Sequence, residues 1–227
     1  MDGSFQPPLP PSSTKAQPAP VEEEGVKRAL DFGIVLGLVV LAPREVHGKQ
    51  TLQRSRPQIT VVVCDQVRIA PERWLTAKQQ SIRILDNAGV DVVWIDAAAA
   101  KSCMAQSLDA YFVVVVSPKA PKGRIAFGTM GFALRTGSHP RAYVFYDLVR
   151  SFVRNFEPSD PFESSVGVIL GHAIAHEVGH LLIPGDAHGA GIMRTNWSYK
   201  EWRAALEGAL LFHPDDVKVI QEQLISR

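Results

Sequence analysis

Apolar positions along this chain fall into short blocks whose periodicity switches between strand and helix. Residues 59–64, Ile-Thr-Val-Val-Val-Cys, form a β-branched run that reads as a buried strand. Pro71 opens a helix carrying Trp74, Ile82 and Leu85, which ends near Ala88-Gly89. Residues 90–95 give a second strand, 111–116 a third and 141–147 a fourth, with a loop or hairpin over 123–131. The strand–helix–strand order favours a parallel pair joined by a crossover helix. A longer apolar helix is expected from about Pro161 to about Leu182. Asp160 suits its N-cap, Pro161 its first position and Glu163 a capping-box-like third, while Pro184-Gly185 stops it. Ser198 and Glu201 form an S-x-x-E capping box for a helix to about Phe212, and Pro214 starts the last helix. The fold class expected is α/β (α+β). It has a twisted, mostly parallel sheet with two long helices, one of them carrying the site, followed by C-terminal helices.

The helix over 161–182 is apolar enough to be buried, yet it carries His172, His176, Glu177 and His180. Burying polar groups without partners is costly, so these four need an explanation. His176 to His180 reads H-E-x-x-H. Residues four apart share a helix face, so His176 and His180 can offer two imidazoles to one metal ion. Glu177 sits beside them, where a general base for a metal-activated water is needed. His172 lies one turn earlier on the same face. Three histidines at successive turns span about 12 Å at 1.5 Å per residue, too far for one ion, so His172 reads as a buried helix histidine. Catalytic zinc takes three protein ligands and leaves a position for water. Asp186 and His188 are the candidates for the third, with a glutamate on a downstream helix, Glu201, as a more distant alternative.

The segment from His176 to Met193 resembles the metzincin clan of zinc peptidases. The clan pattern is H-E-x-x-H-x-x-G-x-x-H, or Asp in the last place, followed by a Met-turn. Ile183 stands where the clan has glycine, Asp186 stands at the last ligand position, and Gly191-Ile192-Met193 is like the Met-turn. The segment to Arg194 is also similar to a group of bacterial proteins with H-E-[IV]-G-H-L-L-L-G, a polar linker, H-S and G-I-M-R. In that group the final histidine falls where His188 does, which favours His188 over Asp186. Gly185 is placed to make the turn that Ile183 cannot. The resemblance implies one zinc ion, peptide-bond hydrolysis with Glu177 as general base, and Met193 as an apolar floor beneath the metal. It also implies that one sheet edge pairs with extended substrate, here either residues 127–134 or the strand over 141–147. Tyr199 or Tyr146 would be the tyrosines to assist an oxyanion. A binding module that has lost catalysis is the rival reading, and the intact Glu177 speaks against it.

Composition adds boundaries. The chain has 227 residues, 46% of them hydrophobic, and a formal net charge of +1. That suits one domain with extra sequence, and the near-zero charge speaks against nucleic-acid binding. Residues 1–25 are rich in Pro, Ser and Gln and read as a disordered leader. Lys27-Arg28 precedes an apolar run of about a dozen residues, short of the roughly 20 that span a bilayer as a helix. Residues 26–48 therefore read as a signal peptide or a short membrane anchor, with a buried strand as the plain alternative. Any membrane contact would run through 27–43. Residues 49–227 are the zinc-peptidase-like domain, expected to be secreted or periplasmic, with a peptide or protein as substrate. Cys64 and Cys103 are the only cysteines, and in an oxidising compartment they would pair.

Overall fold

The computed structural model describes residues 56–97, 112–121, 129–136, 140–157, 162–185 and 188–226. Five strands and five α-helices lie within them, ordered β1 (Gln58–Asp65), α1 (Pro71–Asn87), β2 (Asp91–Ala97), β3 (Phe112–Ser117), β4 (Gly131–Leu134), β5 (Arg141–Phe145), α2 (Tyr146–Phe156), α3 (Phe162–Leu182), α4 (Tyr199–Leu206) and α5 (Pro214–Ile225). The sheet order is β2-β1-β3-β5-β4. β1 runs parallel to β2 and β3, and β3 runs parallel to β5. β4 pairs antiparallel with β5, with Phe132 opposite Tyr143, and so closes one edge. The mixed α/β class and the parallel β1–α1–β2 unit agree with the sequence.

Both faces of the sheet are buried, which is why its central strands are continuous apolar runs without alternation. Val61, Val63, Val114, Val116, Ala142 and Val144 point into the main core with the helices. Val62, Cys64, Val113 and Val115 form a second cluster on the other face. Cys64 is thus a core residue of β1; Cys103 lies outside the described residues, as do the leader and the 26–48 segment. No helix among the described residues is long and apolar enough to cross a membrane.

α3 lies against α1 at very short range. A Cβ on Gly167 would come within 2.9 Å of the Arg73 carbonyl oxygen, and one on Gly171 within 2.6 Å of that of Ala77. Ser81 Oγ sits 2.9 Å from the carbonyl oxygens of both Ala77 and Gly171, so the contact is hydrogen-bonded as well as close. This seam fixes the rotation of α3 about its axis, and with it the direction in which its histidines point.

Three elements differ from expectation. The fourth strand ends at Phe145, and α2 begins at once with Tyr146. Its buried positions Tyr146, Val149 and Val153 keep a helical period. The strand and helix run together with no turn residue between them, which hides the boundary. α4 stops at Leu206 and does not reach Phe212. Gly208, at φ +74°, ends it in a Schellman motif, with Gly208 N–H donating to Ala205 O and Ala209 N–H to Ala204 O. Finally, the region after 128 supplies the edge strand β4; residues 122–128 lie outside the described set.

Candidate metal centre

The last two turns of α3 carry the site. His176 and His180 face the loop that follows the helix, and His188 on that loop faces back. One ring nitrogen from each lies within 4.8 Å of the other two. His176 Nδ1 is 2.7 Å from the carbonyl oxygen of Ile192. A carbonyl only accepts, so Nδ1 carries the proton and Nε2 presents a bare lone pair. His180 Nε2 lies 3.1 Å from that nitrogen. Burial pushes the imidazole of His176 down to about 4 and that of His180 down to about 3, and electrostatic repulsion within the histidine cluster lowers both further. Both rings are therefore neutral near pH 7, which is the form that binds a metal. Three imidazoles converging on one point, one already oriented by a carbonyl, fit a zinc ion.

The loop between α3 and α4 is shaped to hold His188 and its supports. Gly189 N–H donates to Met193 O at 3.0 Å, closing the loop after the histidine. Residues Gly191–Met193 form a single 3-10 turn. Gly191 has φ +58°, and a Cβ there would lie 2.3 Å from Leu211 O, so only glycine fits. The turn buries Ile192 and Met193 completely. Met193 packs under α3 at Gly179, where an added Cβ would meet its Sδ at 2.7 Å. Arg135, just past β4, donates to the carbonyl oxygens of His180 at 2.7 Å and Gly185 at 2.8 Å, and also to that of Ile183. This guanidinium closes the C-terminal end of α3, where carbonyls lack helical partners and a cation is favoured.

Glu177 is 4% exposed, and its Oε2 has no partner among the described residues. Burial pushes its carboxyl up to about 8. Gly131 of β4 makes room for it: a Cβ there would fall 2.7 Å from Glu177 Oε1 and 2.4 Å from Tyr143 O. A cleft of about 470 Å³ opens in front, lined by β4, by Ala173, His176, Glu177 and His180 of α3, and by His188, Arg194 and Trp197 beyond the helix.

Of the residues singled out in the sequence, the structure brings His176, Glu177, His180, His188 and Met193 together. Asp186 lies outside the described residues. Glu201 is no ligand: one carboxylate oxygen accepts from Ser198 N at 2.8 Å and Ser198 Oγ at 2.6 Å, and the other pairs with Arg194 at 3.2 Å. Its position as the third residue of α4 commits it to the capping box. His172 is fully buried, donates from Nδ1 to Val168 O at 2.8 Å and stays outside the cluster. Tyr146 OH accepts from Arg73, and Tyr199 stacks on Phe156 and Trp202; neither lines the cleft. Arg135 and Gly131 complete the site without any sequence signal, because their roles depend on α3, far away in the chain, and Trp197 joins them by donating to Ile192 O at 3.2 Å.

No protein-family model matches this chain, and no curated protein matches it. Among solved structures it is similar to archaemetzincin from Methanopyrus kandleri, at 13% sequence identity and a TM-score of 0.45, over 78% of this chain and 100% of that one.

Proposed function

We propose that this protein is a zinc-dependent peptidase. The observation that carries the reading is the convergence of one nitrogen each from His176, His180 and His188 within 4.8 Å, beside a buried carboxyl whose Oε2 has no partner among the described residues. When bound by these three histidines, zinc supplies an acidified water, Lewis-acid polarisation of a carbonyl and a positive charge that favours the ionised form of Glu177. The chain's own residues do the rest. Glu177 takes the water's proton on its carboxylate and delivers it to the leaving amine nitrogen. The Ile192 carbonyl keeps His176 in one tautomer and one orientation. β4 is last in the sheet order, so its outer edge has no strand partner among the described residues. An extended peptide added there would lie along the cleft, held by main-chain hydrogen bonds.

A site that only stored metal would have no use for an acid next to the ligands. The unpartnered Oε2 of Glu177 therefore favours catalysis over simple binding. The deciding experiment is hydrolysis of an unfolded protein by zinc-loaded wild type and Glu177→Gln. Loss of hydrolysis with zinc retained supports the reading, and equal turnover refutes it.

We propose separately that the domain lies outside the cytoplasm. What supports it is the basic start and short apolar run after Lys27-Arg28 and the single pair of cysteines, Cys64 and Cys103.

A further inference from the structure

The cleft is lined by two arginines, and they are not equivalent. Arg135 is spent on the carbonyls at the end of α3. Arg194 follows Met193 directly and is 53% exposed on the cleft wall, with its Nε 3.2 Å from Glu201 Oε1. Glu201 is 7% exposed at its side chain, and its other oxygen is held by Ser198. The guanidinium is thus braced from behind by a buried carboxylate that cannot swing away. A guanidinium has five N–H donors in a rigid fork. Among the described residues, the remaining donors of Arg194 have no hydrogen-bond partner. The only carboxyl among the described residues lining the cleft is Glu177. A fixed, half-solvated cation facing a cleft whose described lining holds one carboxyl is suited to a planar carboxylate, which it can grip with two parallel hydrogen bonds.

We propose that Arg194 selects peptides that bring a carboxylate into the cleft. This rests on the peptidase reading for the choice of ligand. The carboxylate is either an Asp or Glu side chain near the cleaved bond or the free C-terminus of a short peptide. Glu201 is a positioning residue that acts through Arg194.

The test uses the full zinc-loaded chain and four labelled apolar peptides: a C-terminal acid, its amide, and the amide with one internal Asp or Asn. Binding is measured by fluorescence anisotropy on Glu177→Gln, and kcat/KM on the otherwise unaltered protein. Hydrogen bonds to charged groups predict on the order of a tenfold or greater preference for the peptide carrying the carboxylate. The acid-to-amide and Asp-to-Asn ratios identify which source is read. Arg194→Gln should bring the ratio close to one. Arg194→Lys should do the same while holding the wild-type melting temperature, because its single ammonium still neutralises Glu201 but cannot also reach the ligand. If Arg194→Gln fails to fold, the lysine variant decides alone. Wild-type ratios near one for both pairs, or ratios unchanged in the lysine variant, overturn the proposal. So does a uniform fall in kcat on every peptide with the ratios intact, since the arginine would then act on the reaction's developing charge. A carboxylate preference in binding with no hydrolysis of any peptide would leave this proposal standing and remove the peptidase reading.

Discussion

Glu177 and His172 are both buried on α3, and their chemistry separates them. Each has one atom without a partner among the described residues, Glu177 Oε2 and His172 Nε2, but Glu177 faces the cleft, whereas His172 is enclosed and donates from Nδ1 to its own helix. Glu177→Gln should keep zinc and lower turnover by about 10² to 10⁴-fold, the usual contribution of a general base. Steady-state hydrolysis at verified zinc content checks this. His172 is held near 4 by burial, well below the 6.5 of a free imidazole. The unfolded chain then takes up this proton before the folded one does. The stability His172 contributes is therefore present above pH 6.5 and lost as the pH falls from 6.5 through 4. Metal-free protein should show a melting temperature that drops across that window. His176 and His180, depressed by the same burial, add to that drop, so His172→Gln should lessen it without removing it, and an equally steep drop would show that His172 contributes nothing. At this scale the sequence was readable wherever spacing decides the outcome. The i, i+4 histidines and the adjacent glutamate follow from helix geometry alone. Arg135 and Gly131 were not readable, because their partners lie more than forty residues away in sequence, as Arg135 shows by reaching His180.

Elements position these residues through close approaches that only small side chains allow. Gly131 lets β4 pass against Glu177, and Gly191 lets the 3-10 turn pass against Leu211. Gly131→Ala should leave zinc bound and reduce kcat, since the added methyl meets Tyr143 O and the general base and none of the ligands. Full activity would mean that β4 yields freely. Met193→Ala should cost about 2–5 kcal/mol by opening a cavity beneath α3, as truncations of fully buried side chains do. Denaturant unfolding measures it, and an unchanged midpoint would show that the methionine is no support. The Met-turn was legible from Gly191-Ile192-Met193, and the capping box of α4 from Ser198 and Glu201. α2 is hidden in the sequence although Tyr146, Val149 and Val153 are correctly spaced, because the preceding strand hands over to it without a break. The early stop of α4 is signalled by Gly208, and the apolar residues that follow mask it by extending the hydrophobic pattern.

For the molecule as a whole, a parallel sheet buried on both faces supports one long helix whose rotation is fixed by the Gly167–Gly171 seam with α1. The export reading predicts a mature chain beginning near residue 49 in the periplasm or medium, with Cys64 and Cys103 joined. N-terminal sequencing and thiol titration check it. A cytoplasmic product retaining 26–48 with two free thiols would contradict it. The central claim, however, is that three histidines hold one zinc ion. Elemental analysis of the purified chain and its alanine variants tests it most directly. The account predicts about one zinc per chain in wild type and Asp186→Ala, and strong loss in His176→Ala, His180→Ala and His188→Ala. Full zinc in His188→Ala together with loss in Asp186→Ala would contradict it.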